Sequence, residues 1–111
     1  MGSVERPWGS YTLVGKWSGK ITVKVLRISP GGRLSLQRHR RRDEEWLCLE
    51  GKARVRVGAK EFGMKAGDRT FVPRNRLHRI SSEKGAEFLE VSYGRFSEGD
   101  IVRVEDDYGR T

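Results

Sequence analysis

The chain has 111 residues and a mass of 12.7 kDa, a length that reads as one domain rather than two. Hydrophobic residues make up 35% and charged residues 34%, and the 14 glycines are spread along the chain, which excludes a collagen, a linker or a coiled coil. Lys and Arg number 23 against 15 Asp and Glu, and four of these cations fall at Arg38, Arg40, Arg41 and Arg42, so the net charge of +8 calls for an anionic partner, either a nucleic-acid backbone or a small phosphorylated ligand.

A folded chain of this size buries roughly two-thirds of what its unfolded form exposes, enough for independent folding. The single cysteine, Cys48, can form neither an intramolecular disulfide nor a cysteine-based zinc site, and a cytoplasmic location is expected. No apolar run approaches the ~18 residues of a membrane span and no signal-peptide core is present, so no membrane partner is expected.

Helical periodicity is almost absent, and period-two alternation recurs between turn residues, which predicts an all-β fold. Residues 1–12 read as an N-terminal arm. Ile21, Val23 and Val25 alternate with Thr22 and Lys24, and the apolar phase then shifts to Leu26 and Ile28, which predicts a bulge or a strand buried on both faces before Pro30-Gly31-Gly32. Ala53, Val55 and Val57 point inward against Lys52, Arg54 and Arg56, between flanks at Glu50-Gly51 and Gly58-Ala59 that both read as hairpin turns. Further strands are expected at 61–64, 70–72, 77–81, 88–93 and 101–104. The last lies in a C-terminal segment, residues 95–111, that reads as an edge strand and a turn. Many short strands of this kind close into an antiparallel barrel with room for one small ligand. Trp46, Phe62, Phe71 and Phe88 are expected in its core, with Cys48 as a buried hydrophobe rather than a nucleophile.

Only two histidines exist, His39 and His78. Gln37 and His39 are two apart and so face one side of a strand, and Glu44 returns after a short basic turn. His78 lies on a separate strand that a barrel can bring to the same interior point. A lone histidine is more often packed or solvated than a ligand. Two imidazoles, a carboxylate and an amide oxygen at these spacings instead suit a divalent transition metal with positions open to water or substrate.

These residues carry a resemblance. Gly31, then five residues to Gln37-Arg38-His39, four to Glu44 and six to Gly51 resemble the first motif of the cupin superfamily, with Gln37 at its first His position. Pro73-Arg74-Asn75-Arg76-Leu77-His78 is similar to the second motif, with Asn75 where Gly is usual. More narrowly, Glu5-Arg6-Pro7-Trp8-Gly9-Ser10-Tyr11, Leu34-Ser35-Leu36-Gln37, Arg42 with Glu44 and Trp46, and the run from Asp100 to Arg110 look like the cupin domain of type II mannose-6-phosphate isomerases. The match runs nearly end to end, so residues 1–111 are expected to form a single cupin domain, a double-stranded β-helix or jelly roll. No nucleotidyltransferase domain is expected ahead of Glu5.

The resemblance implies a metal held by Gln37, His39, Glu44 and His78, with zinc in first place and manganese, iron, cobalt or nickel also suited. It implies interconversion of mannose 6-phosphate and fructose 6-phosphate. It gives catalytic roles to Arg42, which matches a family arginine associated with isomerase activity, and to Arg103 in the C-terminal segment. Either binds phosphate or steadies developing negative charge. The chain departs from the family at Arg38, Arg40, Arg41 and Glu45, where Met and three histidines are usual. Isomerisation through an enediolate needs a base and an electrophile. The sequence offers only Glu90, Asp106, Asp107 or a bound water as weak candidates for the base. The alternative is a non-catalytic cupin that binds or senses a phosphorylated sugar or another small anion. Specific nucleic-acid binding ranks last, because the basic residues are not interleaved with exposed aromatics and no nucleic-acid motif is present. A homodimer is expected by family analogy, through sheet edges.

Overall fold

Every regular element among the described residues is a strand. The computed structural model describes residues 2–94 and 99–111. It places β1 (Ser3–Arg6), β2 (Gly9–Trp17), β3 (Ile21–Ile28), β4 (Gly32–Arg33), β5 (Leu36–Arg38), β6 (Arg42–Val57), β7 (Lys60–Lys65), β8 (Arg69–Val72), β9 (His78–Ser82), β10 (Ala86–Gly94) and β11 (Val102–Glu105). The start of the expected C-terminal segment, 95–98, lies outside the described residues.

The pairing is antiparallel throughout and follows one path, β1-β2-β3-β10-β6-β9-β5-β11, with β7 and β8 also on β6 and β4 on β9. The sixteen residues of β6 serve two sheets. Their first half pairs with β10 and β8, and 52–57 pair with β7 and β9. The two sheets fold over each other at that strand, giving the antiparallel jelly roll expected.

The crossing point is Gly51, at φ +79°, where an added Cβ would stand 2.4 Å from the Gly85 carbonyl oxygen. Only glycine fits such an approach. Glu50-Gly51 is therefore the bend within one long strand and not the hairpin turn the sequence predicts. The turn expected at Gly58-Ala59 does join β6 to β7.

Two other expectations are corrected. β3 pairs without slippage from Ile21 to Ile28, and the bulge lies on its neighbour β2, between Leu13 and Gly15. Thr22, Lys24, Leu26 and Ile28 are the buried row, so polar side chains enter the barrel and the β-branched row faces outward. Phe71 is also outward and exposed, because it shares the face of Glu45, while its neighbour Val72 takes the buried position beside Glu44.

The interior is divided along the barrel axis. One end is apolar: Phe88, Cys48, Val55 and Ile80 are fully enclosed there, and Trp46 and Phe88 meet edge to face at 6.5 Å between ring centroids. Burying such a side chain contributes roughly 1.5–3 kcal/mol. The opposite end holds buried Thr22, Lys24, Arg42, Glu44, Glu90 and Ser92. Charges buried this deeply must be paired or coordinate a metal.

Candidate metal centre

Three elements converge on the polar end. His39 stands just past β5, Glu44 near the start of β6, and His78 opens β9; all three are buried. Their ligand-capable atoms lie within 4.8 Å of one another. His39 Nε2 is 3.6 Å from Glu44 Oε2, and His78 Nε2 is 3.7 Å from Glu44 Oε1.

The far nitrogens are anchored. His39 Nδ1 is 2.7 Å from the Asp100 main-chain carbonyl and His78 Nδ1 is 2.9 Å from that of Arg76. A carbonyl only accepts, so each Nδ1 carries the proton and each Nε2 turns a lone pair toward Glu44. A carbonyl behind each imidazole is the supporting arrangement of metal-ligating histidines. Burial lowers the pKa of both, His39 to about 4 with the Glu44 charge working the other way, and neutral imidazoles are what a metal requires. Burial pushes the Glu44 carboxyl up, but the groups around it outweigh burial and lower its pKa, and with both imidazoles neutral it is the Arg42 guanidinium, 3.1 Å from Oε2, that holds the carboxylate ionised.

Glu44 Oε1 and His78 Nε2 are buried without a hydrogen-bond partner. Two acceptors facing each other cannot satisfy one another. A cation between them would satisfy both, so the donor set fits a divalent metal.

Gln37 lies on β5 directly opposite His78 and lines the same chamber. Arg103 on β11 is opposite Gln37, also on the chamber wall, with its Nε buried and unpartnered. The structure thus brings His39, Glu44 and His78 together and sets Gln37 and Arg103 on the chamber wall that His39 also lines.

Arg42 differs from expectation. It does not lie in the short basic turn ahead of Glu44 but is the first residue of β6, buried, with Nε 3.1 Å from Glu44 Oε2 and Nη2 3.2 Å from His39 Nε2. Its guanidinium therefore uses lone pairs that a metal would use.

Beyond the metal cluster the chamber wall is a cross-strand ladder. Glu90 on β10 stands opposite Trp46 on β6 and Lys24 on β3, and Lys24 Nζ sits 4.2 Å from the Tyr11 ring centre. Burial and the Glu44 charge raise the Glu90 carboxyl to about 8, with Lys24, Arg42 and the Trp46 indole opposing. Sequence reading did not single out Lys24. The signal was there: Thr22 and Lys24 share the phase of Leu26 and Ile28. Asp106 is taken by Arg110, which makes three contacts of 2.6–2.9 Å and holds the carboxyl near 2, and Asp107 pairs with Arg33 at 3.7 Å. Only Glu90 among the expected carboxylate bases faces the chamber.

Asp100 was also missed, because its partners lie about sixty residues away. Its two carboxylate oxygens accept the main-chain N–H groups of Arg40 and Arg41 at 2.9 and 3.0 Å, while its carbonyl holds His39. Asp100→Ala removes both acceptors and frees the carbonyl that orients the imidazole. Metal affinity is expected to fall about 10- to 100-fold, the usual loss of a supporting contact. Chelator competition on the folded variant measures it.

The chain is similar to known proteins over nearly its full length. The family model for the mannose-6-phosphate isomerase C-terminal domain matches residues 2–106. The alginate biosynthesis protein AlgA of Pseudomonas aeruginosa is 40% identical over 111 residues, covering 97% of this chain and 23% of that protein. The mannose-1-phosphate guanylyltransferase of Escherichia coli is 34% identical over 110 residues, covering 96% and 23%. The chain thus spans about a quarter of the length of these relatives. Among solved structures, the cupin domain of Schizosaccharomyces pombe Cnp3 superposes with a TM-score of 0.71 at 18% identity, covering 77% of this chain and 64% of that one, which shows the fold. With the double-sheet barrel and the family match both in hand, the chain belongs to the family of mannose-6-phosphate isomerase C-terminal domains and has the cupin fold.

Proposed function

We propose that this protein interconverts mannose 6-phosphate and fructose 6-phosphate, using a divalent metal, zinc first, held by Gln37, His39, Glu44 and His78. The observation that carries the reading is the orphaned pair Glu44 Oε1 and His78 Nε2, clustered with His39, whose ring lines a chamber that also holds Gln37, Glu90 and Arg103. The family match supports the substrate class. The metal would supply an electrophile for the oxyanion that develops on the sugar. Glu90 takes the proton from C2 and returns it to C1, with the matching shift between the two oxygens. A carboxyl poised near 8 is suited to give and take protons at neutral pH. Arg103 binds the phosphate, and Arg42 pairs with phosphate or steadies the enediolate through its planar fork. The chamber is partly open to solvent and has a volume of about 90 Å³, below the ~300 Å³ of ordinary ligand pockets. The lone buried thiol suits a reducing cytoplasm, the location we propose. No helix among the described residues is long and apolar enough to cross a membrane.

A coupled assay for fructose 6-phosphate formed from mannose 6-phosphate, with and without chelator, tests the reading. Turnover lost with chelator and restored by metal is expected. No turnover in metal-loaded protein would overturn it and favour the second reading, a cupin that binds a phosphorylated sugar without converting it. That reading draws on the Arg42 guanidinium already seated on His39 and Glu44.

Glu90→Gln is expected to cost about a hundredfold or more in turnover. It has a second signature in chelator-treated protein. A carboxyl raised to about 8 in the fold and near ~4.3 when unfolded keeps a proton that the unfolded chain gives up, so stability falls as pH rises between those values. The lowered histidines act oppositely only below their unfolded value of ~6.5. Between about 6.5 and 8 the decline belongs to Glu90, and Glu90→Gln should flatten it in melting curves.

A further inference from the structure

The outer side of the sheet formed by β6, β7 and β9 carries a groove that shares no residue with the metal chamber. Its volume is about 590 Å³, inside the ~300–1,000 Å³ of ordinary ligand pockets. Lys52 and Lys65 stand directly opposite each other on its floor, and one step along Arg54 faces Gly63 on one side and Ser81 on the other. Folding does not call for this arrangement. Like charges directly opposite each other destabilise an antiparallel pair, and Lys52 with Lys65 is such a pair. A glycine inside a strand weakens it too, and ordinarily marks a bulge, a bend, or the close approach of another backbone or of a ligand. At Gly63 the first three are absent. β7 pairs with β6 residue for residue from Lys60 to Lys65, the Gly63 φ is not in the left-handed region, and an added Cβ would meet only the Ala53 carbonyl oxygen, at 3.9 Å. The cations beside this gap are unmatched. Arg27, Arg33, Arg74, Arg79 and Arg110 each reach a carboxylate within 3.7 Å, whereas Lys52, Arg54 and Lys65 form no ion pair among the described residues.

We infer that this groove binds a phosphoryl group, as free phosphate or on a small ester, between the side chains of Lys52, Arg54 and Lys65, with the gap at Gly63 letting it reach the sheet surface. Same-face side chains of paired strands stand ~5 Å apart across the pair and ~7 Å apart along it, so three cations occupy three corners of one cell and glycine leaves the fourth empty. That cell suits one compact dianion. The Arg54 guanidinium can take two of its oxygens in a planar fork, and each lysine adds a point charge. Asp68 and Glu83 border the groove from the turns that follow β7 and β9, and Asp68 Oδ2 already accepts the Lys65 main-chain N–H at 2.9 Å. Carboxylates in those places repel a second phosphate, which disfavours an extended polyanion such as a nucleic acid. They accept hydroxyl groups, which suits the organic part of a sugar phosphate.

Amide NMR of the isotope-labelled chain, titrated with inorganic phosphate and separately with glucose 1-phosphate, tests the inference. Saturable shifts centred on Arg54, Gly63 and Lys65 are expected, weakening as salt screens the charges. Tighter binding of the ester assigns the rest of the groove to its sugar, and equal binding assigns the site to free phosphate. Glucose alone should leave these amides unmoved. Arg54→Ala removes an exposed side chain and should weaken binding about tenfold or more, the worth of a hydrogen bond to a charged group. Arg69→Ala removes the same charge from exposed β8 and should bind as wild type. Gly63→Val separates a shaped site from net charge: it fills the empty corner without altering any charge, and a β-branched residue suits a strand, so the variant should melt no lower than wild type yet lose binding. Absence of saturable shifts, a Gly63→Val protein that binds as tightly as wild type, or equal losses in Arg54→Ala and Arg69→Ala would overturn the inference.

Discussion

Glu44→Gln is expected to abolish metal retention while leaving a folded protein. Glu44 is the only anion of the candidate ligand set and is 1% exposed. Supporting contacts alone are worth about 10- to 100-fold in metal affinity, so loss of the charged ligand should exceed about 100-fold. The amide is isosteric, and its N–H₂ can donate to the His78 Nε2 that now has no partner. That new bond supports the fold. Against it, Arg42 loses the carboxylate 3.1 Å from its Nε, and breaking a buried pair costs about 3–5 kcal/mol when the remaining charge cannot escape. Arg42 borders the chamber, so the cost should fall at or below the lower end. Metal analysis after dialysis, beside a thermal melt, separates the two effects. A variant that keeps one ion per chain through chelator would remove Glu44 from the site, and a variant that fails to melt cooperatively would show that Arg42 needs this counter-charge to fold.

The parts of this site that were legible in the sequence are those set by local spacing. Gln37 and His39 two apart, and Ala53, Val55 and Val57 in strict alternation, each announce a face, and the structure places them accordingly. Period two, however, defines two faces without saying which is inside. In β3 the outward row is Ile21, Val23 and Val25, and the inward row starts with Thr22 and Lys24, because the barrel encloses a polar chamber and the outer face is apolar too. The same two-sidedness put Phe71 on the wrong side. Gly51 looked like a turn because a glycine in left-handed backbone serves a hairpin and a sharp bend equally, and only the closeness of Gly85 decides. Asp100 was invisible for another reason: its three contacts cross from one end of the chain to the middle, and no periodicity records them.

Arg42→Met is expected to tighten metal binding and lower turnover together. The guanidinium of Arg42 contacts Glu44 Oε2 and His39 Nε2, two of the atoms a metal would claim. An incoming cation must displace it from His39 and then sit beside its charge. At an effective dielectric near 20, two unit charges about 4 Å apart repel by roughly 4 kcal/mol, and a divalent ion feels more, so a tenfold gain in affinity is a conservative floor. Met fills much of the same apolar stem and leaves the cluster otherwise intact. Turnover moves the other way, because the same group is proposed to pair with phosphate or developing charge, and loss of about 1.4 kcal/mol of transition-state stabilisation is tenfold in rate. Arg42→Lys separates charge from shape. It keeps the repulsion, so metal affinity should stay near wild type, but a point charge cannot replace the bidentate fork and turnover should still drop about tenfold. Chelator competition and the isomerase assay on both variants give four numbers. If Met binds metal no tighter than wild type, Arg42 does not contend for the ligand atoms; if Lys turns over at the wild-type rate, the fork has no part in the reaction.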